Sequence, residues 1–248
     1  MRDVAWHATS SGLWTSIMRL IKEVLTMDKN TTELVFILDR SGSMSGLEDD
    51  TIRGFNGMLA KQKAEEQAVN VTTVLFDDKV DIIHDRFPIS IVQPLTEKDY
   101  YVRGCTALLD AVGESIRKIE NVQEHLPEDH KASKVIFVIT TDGHENSSRK
   151  FTYSEIKRMI EAKKEMGWEF LFLGANIDAV EEAAKLGINR NRAVTYENDS
   201  KGVALNYEVV GSTLRKAVAC DEEDMHTKIF DDDWAEAIEE YHNQKSRK

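Results

Sequence analysis

Two short apolar runs constrain the fold of this chain more than any other feature. Residues 33–39 read ELVFILD and residues 134–140 read KVIFVIT, and in neither run do apolar and polar side chains alternate. An uninterrupted apolar run of this length is typical of a strand buried on both faces, as in a parallel sheet covered by helices. The sequence therefore predicts an α/β fold.

Helix and strand patterns alternate along the rest of the chain. The predicted helices cover residues 47–66, 106–119, 152–166, 177–186 and 201–219, and the further strands cover residues 70–76, 80–84, 168–173 and 193–196. A capping-box pattern, Thr152 with Glu155, marks the start of the third helix, and Gly167 marks its end. Asp77, Asp78 and Lys79 alone link two strands, which requires an antiparallel pair because a parallel pair needs a long crossover.

These elements predict a doubly wound, Rossmann-like sheet. We expect six strands in the order 3-2-1-4-5-6, mostly parallel, with one antiparallel edge strand and helices on both faces. In that order the first and fourth strands are neighbours whose crossovers leave in opposite directions. Ligands bind beyond the carboxyl ends of such a strand pair.

Composition excludes several classes of protein. The formal net charge is −12, which argues against a nucleic-acid partner because the phosphate backbone is also negative. The two cysteines, Cys105 and Cys220, form no CxxC pair, so neither a disulfide framework nor a thiolate zinc site is expected. No apolar run is long enough to span a bilayer. We therefore expect a cytoplasmic protein that binds neither nucleic acid nor membrane.

The chain divides into three predicted segments: a helical extension at residues 1–30, a central domain at 31–219 and an acidic tail at 220–248. The extension carries an apolar stripe at helical spacing, formed by Trp14, Ile17, Met18, Ile21, Val24 and Leu25. We interpret it as a helix packed on the domain, or as upstream sequence that the native protein lacks, with Met27 as the alternative start. A surface helix that binds a membrane or a partner is the alternative.

The tail combines acidic runs with one apolar face. Its large apolar side chains are Phe230, Trp234, Ile238 and Tyr241, at a spacing that predicts an amphipathic helix. We expect this segment to dock on the domain or to fray, and a partner-binding helix is the alternative.

Three polar segments lie in loops assigned to the carboxyl edge of the sheet. They are DRSGS at residues 39–43, GCTALLD at residues 104–110 and TTDGHEN at residues 140–146. Each has an ordinary structural explanation when taken alone. Ser43 or Ser45 and Thr106 can cap helices, and Asp142 with the following glycine can form a turn.

Together, these segments provide a set of side-chain oxygens without histidine or thiolate. The set comprises Asp39, Ser41, Ser43, Thr106 and Asp142. Hard divalent cations such as Mg²⁺, Mn²⁺ and Ca²⁺ prefer ligands of this kind. The sequence therefore predicts a site for one divalent cation at this edge, with Mg²⁺ as the first candidate.

These five residues resemble the metal-ion-dependent adhesion site of the von Willebrand factor A domains. That site is Asp-x-Ser-x-Ser followed by a distant Thr and a distant Asp, and all its positions are filled here. The phrases GCTALLDA and TDGHEN look like those of bacterial members, and the resemblance covers roughly residues 32–219. It implies that the three hydroxyls touch the metal, that the aspartates act largely through water, and that a Glu or Asp of a partner completes the shell. It also implies a partner in an AAA-type ATPase system.

We therefore expect a divalent-metal-dependent protein-interaction module rather than an enzyme. The loops around Met44, Gly104 and His144 are expected to contact the partner, and Arg40 is expected to be exposed to solvent. The alternative is a metal-dependent hydrolase in which the same cation activates water and Glu145 serves as general base. Nucleotide-binding glycine motifs, a GxSxG elbow and an HExxH motif are absent from the sequence.

Overall fold

The computed structural model describes residues 31–230 and 233–246. The predictions for the extension at residues 1–30 lie outside the described residues. The division of the chain into three segments stays a prediction.

Six strands form one sheet. They are β1 (Thr32–Asp39), β2 (Val69–Phe76), β3 (Val80–Pro88), β4 (Lys134–Thr141), β5 (Glu169–Ala175) and β6 (Ala193–Tyr196). The order is β3-β2-β1-β4-β5-β6, with β2 and β3 antiparallel and the other pairs parallel. This arrangement confirms the predicted fold class and strand order.

Helices cover both faces of the sheet. They are α1 (Glu48–Lys63), α2 (Leu108–His125), α3 (Tyr153–Lys164), α4 (Ala179–Lys185), α5 (Ser200–Ala219) and α6 (Glu236–Ser246). Helix α2 continues beyond the predicted end at residue 119, up to Leu126, whose extended conformation is the one favoured before Pro127. The predicted capping box of Thr152 and Glu155 is present at the start of α3.

The alternation of side chains along β1 explains its uninterrupted apolar run. Leu34, Phe36 and Leu38 belong to the core under α1 and α5, whereas Val35 and Ile37 belong to the core under α2, α3 and α4. Successive side chains of a strand point to opposite faces, so a strand between two helical layers has no polar face. All five side chains are buried.

The described part of the tail packs on the domain. Phe230 and Ile238 are buried in the same core as α5. Arg192 donates to the main-chain oxygen of Phe230 and pairs with Glu169, and Trp234 Nε1 donates to Asn191 O at 2.8 Å. Phe230 and Trp234 precede α6, so the helix is shorter than the apolar spacing suggested. Among the described residues, none of the helices has the length and apolar character needed to cross a bilayer.

Candidate metal centre at the carboxyl edge of the sheet

Asp39 ends β1, and its carboxylate is held on both oxygens. Oδ1 accepts the main-chain N–H of Ser41 at 2.7 Å, and Oδ2 accepts the hydroxyl of Thr141, at the end of β4, at 2.6 Å. The phenol of Tyr100 donates to the main-chain oxygen of Asp39 at 2.5 Å. The buried aspartate is therefore fixed between the ends of two neighbouring strands.

The two predicted serines connect β1 to the loop that follows β4. Ser41 Oγ lies 3.0 Å from Ser43 Oγ, and Ser43 Oγ donates to Asp142 Oδ1 at 2.5 Å. A short 3-10 turn, Gly42–Met44, produces this arrangement: it leaves Ser43 exposed and turns Met44 into the core. Met44 is 2% exposed, so its own side chain lies in the core, and the expected contact between the surrounding loop and a partner stays a prediction.

Thr106 reaches the same place from the loop that precedes α2. A Cβ added at Gly143 would lie 3.4 Å from both Ser43 Oγ and Thr106 Oγ1, so these two hydroxyls lie within twice that distance of each other. Asn146 binds the main chain of Thr106 through its own N–H and its side-chain oxygen. The structure thus brings together the oxygens of three segments far apart in sequence.

The helix-capping explanation for these hydroxyls does not hold. The N-cap residue of α1 is Leu47 and that of α2 is Ala107, and neither makes a side-chain capping bond. At the start of α2, the N–H of Leu109 is instead accepted by Glu145 Oε2 at 2.9 Å. Neither Ser43 nor Thr106 is the capping residue of its helix.

Burial perturbs both carboxylates of the site. Burial raises the pKa of Asp39 to about 6, hydrogen bonds from Thr141 and Ser41 act in the opposite direction, and the charge of Asp142 adds to the rise. Burial also raises the pKa of Asp142, against hydrogen bonds from Ser43 and Asn198. A bound cation would stabilise the charged form of both groups.

The donor set fits a hard divalent cation. It offers two carboxylates and three hydroxyls, the oxygen ligands that Mg²⁺, Mn²⁺ and Ca²⁺ prefer. In the described part of the chain, no three His, Cys, Asp or Glu side chains come together as a metal-binding group. A site here would therefore rely on hydroxyls and would neutralise the cation weakly.

Arg40 is buried, contrary to the expectation that solvent surrounds it. It is 2% exposed, and its Nε donates to Asp77 Oδ2 at 2.8 Å. Arg103 Nε donates to the same oxygen at 2.6 Å, and both arginines also bond Asp81. Arg40 follows Asp39 and points to the opposite side of the strand end, toward the β2–β3 hairpin. The guanidinium therefore pairs with the carboxylates of Asp77 and Asp81 and does not bind the carboxylate of Asp39.

The loop between β4 and α3, residues 142–152, is named the Asp142 loop here. Within it, the Glu145 carboxylate accepts the N–H groups of Leu109, Ser147 and Ser148 and the hydroxyl of Ser148, at 2.7–2.9 Å. In return, the Asp110 carboxylate of α2 accepts the N–H groups of residues 149–151. Glu145 therefore anchors the loop to α2, which is a structural role that the general-base hypothesis did not anticipate.

Sequence reasoning missed three residues of this arrangement: Asp110, Glu145 as an anchor, and Asn146. All three lie in the quoted segments GCTALLD and TTDGHEN. Their bonds join positions about 36 to 41 residues apart, and a local spacing rule covers only caps within one helix. The one sequence signal for these three residues is that they are polar and lie in two loop segments assigned to the same edge of the sheet.

A family model described as the von Willebrand factor type A domain matches residues 33–207. This chain belongs to that family. No curated protein sequence matches it. The family assignment agrees with the fold described above.

Solved structures with this fold come from distant proteins. The vWF domain of the type V pili tip protein Mfa5 from Porphyromonas gingivalis has a TM-score of 0.56 at 10% identity, covering 77% of this chain and 97% of that one. The PilB minor pilin from Streptococcus sanguinis has a TM-score of 0.53 at 12% identity, covering 77% and 62%. Manganese-loaded TRAP protein from Plasmodium vivax has a TM-score of 0.50 at 16% identity, covering 71% of each chain. This chain thus spans less than two thirds of the pilin, and these likenesses concern the fold alone.

Proposed function

We propose that this von Willebrand factor A domain is a divalent-metal-dependent protein-interaction module. Asp39, Ser41, Ser43, Thr106 and Asp142 would hold one cation, with Mg²⁺ as the first candidate and Mn²⁺ or Ca²⁺ as alternatives. The observation that carries the proposal is the chain of contacts from Ser41 through Ser43 to Asp142, with the Thr106 hydroxyl close by. When bound, the cation would supply a positive centre for an anionic oxygen from outside.

The ligand proposed for that cation is a Glu or Asp side chain of a partner protein. Ser43 and His144 are exposed at the site and accessible to such a partner. The resemblance to bacterial members suggests a partner in an AAA-type ATPase system. The net charge of −12 disfavours nucleic acid, and we propose no membrane contact. We further propose a cytoplasmic location, supported by the free thiols of Cys105 and Cys220.

The similar solved structures agree with an interaction role. Two belong to pilus proteins and a third is manganese-loaded, which fits a module that binds metal and partner. The hydrolase alternative has less support, because the Glu145 carboxylate already accepts four hydrogen bonds and holds α2. A general base must instead accept a proton from water.

Calorimetric titration of the full chain with Mg²⁺, Mn²⁺ and Ca²⁺ tests the metal site. We expect the unmodified chain to bind at least one of these ions and Asp142→Ala to lose that binding, because the variant removes a carboxylate from the set. Asp129→Ala, at an exposed position away from the site, is the matched control and should bind as the unmodified chain does. Equal affinity in all three proteins would refute the site.

A pull-down from a lysate in Mg²⁺, with and without EDTA, tests the interaction. We expect a partner that is retained in Mg²⁺ and released by EDTA, and that Asp142→Ala does not retain. A partner held equally in both buffers would contradict metal-dependent binding.

A further inference from the structure

We propose that Asn146 is a positioning residue for the candidate metal site. It would hold the Thr106 hydroxyl opposite the Asp142 loop so that both segments can contribute to one cation. This inference rests on the proposed function and adds a residue that the family's five-residue pattern does not include.

Asn146 binds the main chain of Thr106 in both directions. Its N–H donates to Thr106 O at 3.0 Å, and its side-chain Oδ1 accepts the N–H of Thr106 at 2.9 Å. A single hydrogen bond leaves a residue free to pivot, whereas two antiparallel bonds fix both its separation and its rotation. The position of Thr106 relative to the Asp142 loop is therefore set by one residue, and its side chain supplies one of the two bonds.

The two Asn146–Thr106 hydrogen bonds, called the clamp below, hold Thr106 close to Gly143 and Ser43. Gly143 lies between Asp142 and Asn146, and a Cβ at Gly143 would lie 3.4 Å from both Ser43 Oγ and Thr106 Oγ1. The Thr106 hydroxyl thus faces the backbone of the Asp142 loop across a gap about as wide as one side-chain carbon. A small shift of Thr106 changes that gap, and groups that orient metal ligands affect affinity for this reason.

A second, separate latch holds the same loop to α2. Glu145 Oε2 accepts the N–H of Leu109, Ser148 Oγ accepts the N–H of Asp110, and the Asp110 carboxylate accepts N–H groups of the Asp142 loop. This latch involves the first turn of α2, whereas Asn146 involves Thr106. Since Asn146 is exposed, losing its side chain should leave Thr106 held by the main-chain bond alone, free to pivot, and should leave the fold intact.

The test separates metal affinity from stability in the full chain. We expect Asn146→Ala to raise the Kd for Mg²⁺ by about 10–100-fold, as is usual when a group supporting a ligand is lost. Its melting temperature in EDTA should fall by no more than about 2–4 °C, because the variant loses only one hydrogen bond of an exposed side chain. Amide exchange measured by NMR in EDTA should show faster exchange of the Thr106 N–H.

Three variants serve as controls. Asn146→Asp keeps an acceptor for the Thr106 N–H and should restore most of the affinity. Asn146→Ala combined with Ser147→Asp adds the same negative charge one residue away but provides no acceptor for the Thr106 N–H. This double variant should not restore the affinity. Asn121→Ala, at an exposed position on α2, should bind Mg²⁺ as the unmodified chain does.

Two results would overturn the inference while the proposed function stands. One is unchanged Mg²⁺ affinity in Asn146→Ala. The other is equal restoration of Mg²⁺ affinity by Asn146→Asp and by Asn146→Ala combined with Ser147→Asp. If the unmodified chain binds none of Mg²⁺, Mn²⁺ and Ca²⁺, the proposed function itself fails and the inference falls with it. The titration of the unmodified chain distinguishes the two failures.

Discussion

Asp39 and Asp142 bring two carboxylates into a buried environment at the ends of β1 and β4. Burial raises the pKa of both groups, and the pKa of Asp39 reaches about 6. Their hydrogen-bond partners are hydroxyls, an amide side chain and a main-chain N–H. Carboxylates whose charged form is disfavoured in this way are found most often at functional sites.

The pH dependence of stability in the metal-free protein tests this view of Asp39. Its pKa is raised from 3.8 to about 6, so the stability linked to its protonated form is fully present below pH 3.8 and is lost as the pH rises through about 6. Asp39→Asn keeps an acceptor for the Ser41 N–H and removes the charge. We expect it to raise the free energy of unfolding at pH 7.5 by on the order of 3 kcal/mol.

Urea unfolding in EDTA at pH 4.0 and pH 7.5 measures the effect. The difference between the two pH values should shrink in Asp39→Asn and should remain in Asp129→Asn, which changes an exposed carboxylate. The same pH dependence in Asp39→Asn and in the unmodified chain would contradict the assignment to Asp39.

At the scale of elements, an arginine network joins the β2–β3 hairpin to the loops of the site. Arg40 follows β1, Arg103 lies in the loop before α2, and both donate to Asp77. Although burial opposes ionisation, hydrogen bonds from Arg103 and Arg40 hold the pKa of Asp77 below its usual value. The N–H of Arg103 also donates to Arg40 O at 2.9 Å. The hairpin therefore supports the loop that carries Thr106.

Asp77→Ala is expected to destabilise the protein by about 3–5 kcal/mol, because it leaves the buried Arg40 guanidinium with an incomplete set of partners. Urea unfolding in EDTA at neutral pH gives the value. Asp85→Ala is the matched control: this carboxylate pairs with Lys118 at 2.8 Å but is 54% exposed, so we expect a change below about 1 kcal/mol. Equal losses in the two variants would show that the Arg40 network contributes no more than a surface ion pair.

At the scale of the whole molecule, the described tail is part of the packed structure. Phe230 and Ile238 share a core with residues of α1 and α5, and Tyr241 donates to Asp199 Oδ2 at 3.1 Å, next to the start of α5. A helix that served only a partner would leave its apolar face exposed in the free protein. These contacts favour docking over a partner-binding role for the same face.

Phe230→Ala tests the contribution of the tail to folding. Phe230 is 0% exposed, so we expect a loss of about 3–5 kcal/mol from the missing contacts and the cavity left behind. Phe87→Ala, at a site that is 41% exposed on β3, should lose much less. Both are measured by urea unfolding of the full chain, and a loss at Phe230 no larger than that at Phe87 would argue that the tail is only loosely attached.

The sequence alone was sufficient for the fold class, the strand order and the choice of five candidate ligands. The apolar run of β1 is too short for a typical helix and does not alternate with polar residues, so it indicates a strand buried on both faces. The positions of Asp39 and Asp142 at the ends of β1 and β4 then follow from the topology of a doubly wound sheet. Their role as metal ligands remains a prediction.

Only the tertiary structure decided which polar side chains support the site. The burial of Arg40 and Met44, the anchoring by Glu145 and the clamp between Asn146 and Thr106 depend on how loops cross in space. Periodicity describes the faces of single elements, whereas these contacts join residues that are distant in sequence and have no shared pattern. For that reason the sequence by itself identified the oxygens of the candidate site, and the folded chain alone showed what holds them in place.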